Sequence, residues 1–213
     1  MMKKVVLSLF TITLLFACTD SDDTGGSGAR GDDFNRQAML TNWADNIIIP
    51  ALQDLSDDLS VLSSSKDEFL ASPNQATLED LRSTWFESYK TWQYVEMFDI
   101  GKAEEINYAF QMNIYPTNVS DIQSNISSGS YDLASVNNND AVGFPALDYM
   151  LFGIADNDTA IINTYSTIIG FEANKTYLAD VVNQMQSLTT TVLSDWVTNY
   201  RDVFVNSTAN TAT

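Results

Sequence analysis

The chain has 213 residues, with 28 acidic against 10 basic side chains, a formal net charge of −18, one cysteine and no histidine. Such an acidic balance argues against nucleic acid as a partner, because binding phosphates requires basic patches that neutralise them. The absence of imidazole excludes His-Glu-x-x-His zinc chemistry and every Ser-His-Asp or Cys-His nucleophile system.

The first 17 residues have the pattern of a processing signal: Lys3 and Lys4, an apolar run from Val5 to Phe16, then Ala17 directly before Cys18. The run is short for a bilayer span. Leu15-Phe16-Ala17-Cys18 is similar to the lipobox of bacterial lipoproteins, so cleavage before Cys18 and acylation of that residue are expected. With a single cysteine, no disulfide can form within the chain. Residues 18–33 are rich in Gly, Ser, Asp and Thr and lack the apolar surface that offsets ordering entropy, so they read as a tether. The acids Asp20, Asp22 and Asp23 resemble surface-export signals of some Gram-negative lipoproteins; a solvated linker would look the same. The expected location is the bacterial cell envelope, lipid-anchored in the outer membrane on its periplasmic or outer face.

From Phe34 to Val205 the dominant period is helical, which predicts one all-α helical bundle. Met39, Trp43, Ile47, Leu55, Leu59 and Leu62 form one apolar stripe, with Pro50 expected to kink or divide that helix. A second helix is predicted from Ala76 to Phe98, with Leu78, Leu81, Trp85, Tyr89, Trp92 and Val95 on its buried face and a stop near Gly101. The aromatic stripe Trp85, Tyr89, Trp92 is assigned to the core rather than to a ligand groove. Glu87, Glu96, Asp99, Glu104 and Glu105 lie near it and could gather around a cation, although charged residues on helices are usually a solvated face. Shorter helices are predicted at Asn118–Ser127, Pro145–Phe152 and Thr159–Ile169, and a third long one at Glu172–Phe204. The sequons at Asn118, Asn125, Asn157, Asn174 and Asn206 are chance in a chain with a bacterial lipobox. Residues 206–213 form a polar tail or a point at which a longer protein was cut.

The segment Gly143-Phe144-Pro145-Ala146-Leu147-Asp148-Tyr149-Met150-Leu151-Phe152-Gly153 carries a single carboxylate in an apolar surrounding. Gly143 permits an unusual turn, Pro145 suits a first helical position, and Asp148 is then expected in the first turn, where negative charge complements the helix dipole.

Together with Asn42-Trp43-Ala44-Asp45-Asn46-Ile47-Ile48-Ile49-Pro50-Ala51-Leu52, the Trp85 to Trp92 helix leading into Phe98-Asp99-Ile100-Gly101, and Tyr115-Pro116, this segment resembles the imelysin family, also called M75 peptidase-like. The resemblance implies an all-α fold of two similar bundle halves, of which this chain would supply the first. It also implies a link to iron or haem acquisition, or to peptidase activity, at a Gly-x-His-x-x-Glu motif whose His and Glu are proposed metal ligands. Here the motif positions are Gly143, Pro145 and Asp148: proline offers no donor atom, and aspartate is one methylene shorter than glutamate. The expectation is therefore a non-catalytic envelope protein that holds a small ligand or an uptake-system partner. Asp148 is the one residue placed to meet a divalent metal such as iron, zinc or calcium. The alternatives are a metallopeptidase using Asp148, Glu96 and Asp99, and a structural interaction module.

Overall fold

The computed structural model describes residues 34–207, and every regular element among them is helical. The predicted signal, Cys18 and the tether lie outside the described residues. In chain order, α1 (Arg36–Trp43), a π-helical segment (Ala44–Ile48) and α2 (Ile49–Ala71) run as one rod. They are followed by α3 (Gln75–Trp92), α4 (Lys102–Glu105), α5 (Tyr108–Met112) and α6 (Val119–Ser128). A 3₁₀ turn (Val136–Asn138) leads to α7 (Gly143–Asp148), which passes into a second π segment (Tyr149–Gly153) and then α8 (Asp158–Thr164). The last rod is α9 (Phe171–Asp195), a third π segment (Trp196–Tyr200) and α10 (Arg201–Val205).

α1, α3, α6 and α8 each begin at an asparagine whose side chain accepts from a free amide group. Asn35, Asn118 and Asn157 each cap a helix, and Asn74 forms a capping box with Thr77 at the start of α3. Two of the five sequon asparagines, Asn118 and Asn157, are thus helix N-caps.

α2 packs against both α3 and α9, and the three long helices enclose the core. Leu52, Leu55, Leu59, Leu62 and Phe69 from α2, Leu78, Leu81 and Trp92 from α3, and Val181, Met185, Val192 and Trp196 from the last rod are essentially inaccessible. Each such aliphatic side chain contributes roughly 1.5–3 kcal/mol by leaving water. The aromatic stripe is core as expected: Trp85 and Trp92 are buried, and half-buried Tyr89 stacks on Trp85 against the core.

Three expectations about the long helices need correction. At the first rod the buried positions are Leu40, Ala44, Ile48 and Leu52, whereas Trp43 and Ile47 face solvent. Repeated steps of four drift off one face of an α-helix, and the wider π turn, in which the Ile49 amide reaches back to the Ala44 carbonyl, brings them into line. Pro50 does not divide the rod: it stands at the second position of α2, beside the π turn, where its missing amide donor is not needed by the first helical bonds. Finally, α3 stops at Trp92, well before Gly101. From Gln93 to Val95 each amide bonds three residues back, so the chain proceeds through tight turns that still deliver Val95 to the core. The last rod runs as predicted, whereas the helix predicted at Thr159–Ile169 ends at Thr164.

Candidate functional site

The Gly143 to Gly153 segment is held among α3, α5 and α9 by bonds to its backbone rather than by a ligand-facing cluster. Just before it, the Tyr177 hydroxyl donates to the Ala141 carbonyl at 2.7 Å. The Trp85 indole donates to the Phe144 carbonyl at 3.2 Å, and Phe144 itself packs against Tyr89 and Trp92.

Gly143 sits at φ +73°, and a β-carbon there would lie 2.2 Å from the Met112 carbonyl oxygen and 2.5 Å from its carbon. Only a residue without a side chain fits between this turn and the end of α5. The motif glycine therefore has a packing reason of its own.

The π segment beyond α7 leaves carbonyls that side chains satisfy. The Tyr165 hydroxyl donates to Met150 O at 2.9 Å. The Arg82 guanidinium donates to Leu151 O through Nε at 3.0 Å and Nη2 at 2.7 Å, bonds Asp158 at 2.8 Å, and lies 4.5 Å from the centre of the Phe152 ring. Arg82 beside Asp158 holds that carboxyl below its ordinary value.

Asp148 is not where the sequence reading placed it. The helix starts at Gly143, two residues earlier than expected, so Asp148 is the sixth residue of α7 and lies outside its first turn. Its side chain is exposed, and partial desolvation raises its carboxyl above the usual value. Helix-dipole stabilisation is therefore not the reason for this acid. Pro145, half-buried, occupies the other motif position and offers no donor atom.

The remaining acids named from the sequence do not join Asp148. Glu87 pairs with Lys90 and Glu105 with Lys102. Glu96 is exposed, while Asp99 is half-buried with one carboxylate oxygen enclosed and without a hydrogen-bond partner. Burial and the neighbouring Glu104 push the Asp99 carboxyl up. Among the described residues no three His, Cys, Asp or Glu side chains come together as a set able to hold a metal ion. A resident divalent metal needs several such donors, so the motif region as it stands does not fit one.

A concavity among the described residues lies elsewhere. A groove of about 680 Å³ runs between the start of α2 and the turns after α3, lined by Asn46, Ile47, Pro50 and Ala51 on one wall and by Tyr94, Met97 and Phe98 on the other. Asp54, Asp57 and Asp58, three and four residues apart on α2, border it with Thr91. Two of the segments that resembled the imelysin family, Asn42–Leu52 and Phe98–Gly101, thus meet in this groove, and neither Pro145 nor Asp148 lines it. The Asp54, Asp57, Asp58 spacing was readable in the sequence as a one-sided acidic row. That it would face the exposed Tyr94 and Met97 depends on where α3 stops.

A further constraint joins the first and last rods. Asp45, in the first π segment, accepts from Arg201 Nε at 2.6 Å and Nη2 at 2.7 Å. The guanidinium holds the Asp45 carboxyl below its ordinary value.

Comparison with solved structures finds a similar fold in an iron-regulated protein A precursor from Parabacteroides distasonis ATCC 8503. The TM-score is 0.69 at 20% sequence identity, over 87% of this chain and 54% of that one. The chain therefore spans about half the length of that structure. A search of curated proteins gives no significant match. The family model for imelysin, peptidase M75, matches residues 48–213. That span takes in α2, the groove lining other than Asn46 and Ile47, and the Gly143 to Gly153 segment, and on it the chain belongs to the imelysin family.

Proposed function

We propose that this chain is a lipid-anchored imelysin-family protein of the bacterial envelope that holds a ligand or partner for iron or nutrient uptake and does not cleave peptides. The observation that carries the non-catalytic reading is the motif itself: Pro145 stands where the family's metal-binding histidine is expected, and among the described residues the exposed Asp148 belongs to no set of three such side chains able to hold a metal ion. Support for the setting comes from the lipobox-like run ending at Cys18 and from the fold shared with a protein described as iron-regulated.

The test uses the full chain purified from bacterial membranes. Metal content by mass spectrometry should show no stoichiometric divalent ion, and a casein substrate should stay intact with or without chelator. Chelator-sensitive cleavage would refute the reading and restore the metallopeptidase. Cys18→Ala should move the protein from the membrane fraction to the soluble one, and unchanged membrane association would remove the lipid anchor.

A further inference from the structure

The groove between α2 and the turns after α3 combines two properties that a solvated surface does not need together. Its walls expose apolar side chains: Tyr94 is 70% accessible, Met97 68% and Ile47 45%. Along the same groove Asp54, Asp57 and Asp58 present carboxylates, and none of the described residues lining it is basic. Asp57 accepts from Gln53 and Asp58 from Thr91, bonds that orient the row without neutralising it.

We propose that this groove docks a basic, amphipathic polypeptide segment, whose apolar side chains seat on Ile47, Tyr94 and Met97 while its lysines or arginines meet Asp54, Asp57 and Asp58. Charge complementarity selects this occupant over the others. A second copy of the chain would bring a body of net charge −18 up to the acidic row. An anionic lipid surface would meet the same repulsion. An apolar stripe flanked by cationic groups is what a helix lying in a groove supplies. The inference rests on the partner-holding reading above and names the chemical class of partner.

The experiment titrates the full chain with a labelled 18-residue peptide of lysine and leucine at helical spacing, and with a counterpart carrying glutamate for lysine, reading fluorescence anisotropy. The lysine peptide should bind and the glutamate peptide should not, and rising salt should weaken the complex. A triple variant Asp54→Asn, Asp57→Asn, Asp58→Asn, and separately the pair Tyr94→Ala, Met97→Ala, should each lower affinity at least tenfold while circular dichroism is unchanged. A control with the same charge change, Glu68→Gln, Asp80→Asn, Glu172→Gln, should bind as the parent does. Equal losses in the control and groove variants would overturn the proposal, because any acidic surface would then suffice. A Met97→Cys thiol should react with maleimide and be protected by the lysine peptide. An unreactive thiol before peptide is added would also overturn it, since a second copy or another segment would already cover the groove. If the peptide fails to bind while casein stays intact, the groove assignment falls and the non-catalytic reading stands; chelator-sensitive cleavage of the peptide removes both.

Discussion

Replacing Gly143 by alanine tests whether the motif glycine is fixed by packing. The substitution has two costs that can be measured apart. An alanine at positive φ costs about 1–2 kcal/mol from its own β-carbon. A β-carbon 2.2 Å from the Met112 carbonyl oxygen and 2.8 Å from that of Gln111 meets backbone, which cannot swing aside as a side chain would. Relieving that overlap by shifting α7 or the end of α5 adds about 1–3 kcal/mol. Gly129 serves as the internal reference: it has φ +61° at the end of α6, and an added β-carbon there meets nothing within 4 Å. Gly129→Ala should therefore show the conformational cost alone, about 1–2 kcal/mol. Gly143→Ala should show ~2–5 kcal/mol, a large share of a stability of about 5–15 kcal/mol. Urea unfolding followed by circular dichroism gives both values from the midpoint at constant slope. Equal destabilisation by the two substitutions would refute the packing argument and leave the backbone angle as the whole reason for glycine.

Arg82→Ala removes both donors from the Leu151 carbonyl and the ion pair to Asp158, and should cost about 2–3 kcal/mol in the same assay. Arg82→Lys should recover less than half, since an ammonium cannot reproduce the guanidinium fork. Full recovery would reduce Arg82 to a point charge. Asp99→Asn should stabilise the protein at neutral pH. The folded-state pKa of Asp99 is raised, so the folded chain holds its proton more tightly than the unfolded chain and loses stability once the carboxyl ionises. The gain should fade as pH falls through the raised folded-state value and be gone below about 4, where the unfolded carboxyl is also protonated. A variant less stable than the parent at pH 7 would mean that the charged Asp99 makes a favourable contact. Tyr108→Phe should cost about 1 kcal/mol, because Thr189 keeps its bond to the Met185 carbonyl after the 2.6 Å contact with Tyr108 is lost. A loss above ~2 kcal/mol would show that the buried pair acts as a larger network.

The sequence by itself determined the all-α class, the three long helices and most of their buried faces. A run such as Leu55, Leu59 and Leu62 on α2, or Val181, Met185 and Val192 on α9, leaves only one way for a 3.6-residue period to bury its apolar groups. The motif positions Gly143, Pro145 and Asp148, and the missing donor at Pro145, were equally legible, because they depend on residue identity alone. What only the tertiary structure decided are the departures from regular helix and their consequences. The π turn at Ala44–Ile48 put Leu40 and Ala44 inside and Trp43 and Ile47 outside, a one-residue change in face that periodicity cannot assign. The end of α3 at Trp92 followed from tight turns that keep Val95 in the core, and this brought Tyr94 and Met97 opposite the aspartates of α2. The start of α7 at Gly143, set by contact with Met112, moved Asp148 out of the first turn and into solvent. Each of these rests on which segment lies against which, a fact of packing between residues far apart in the chain, and local sequence does not encode it.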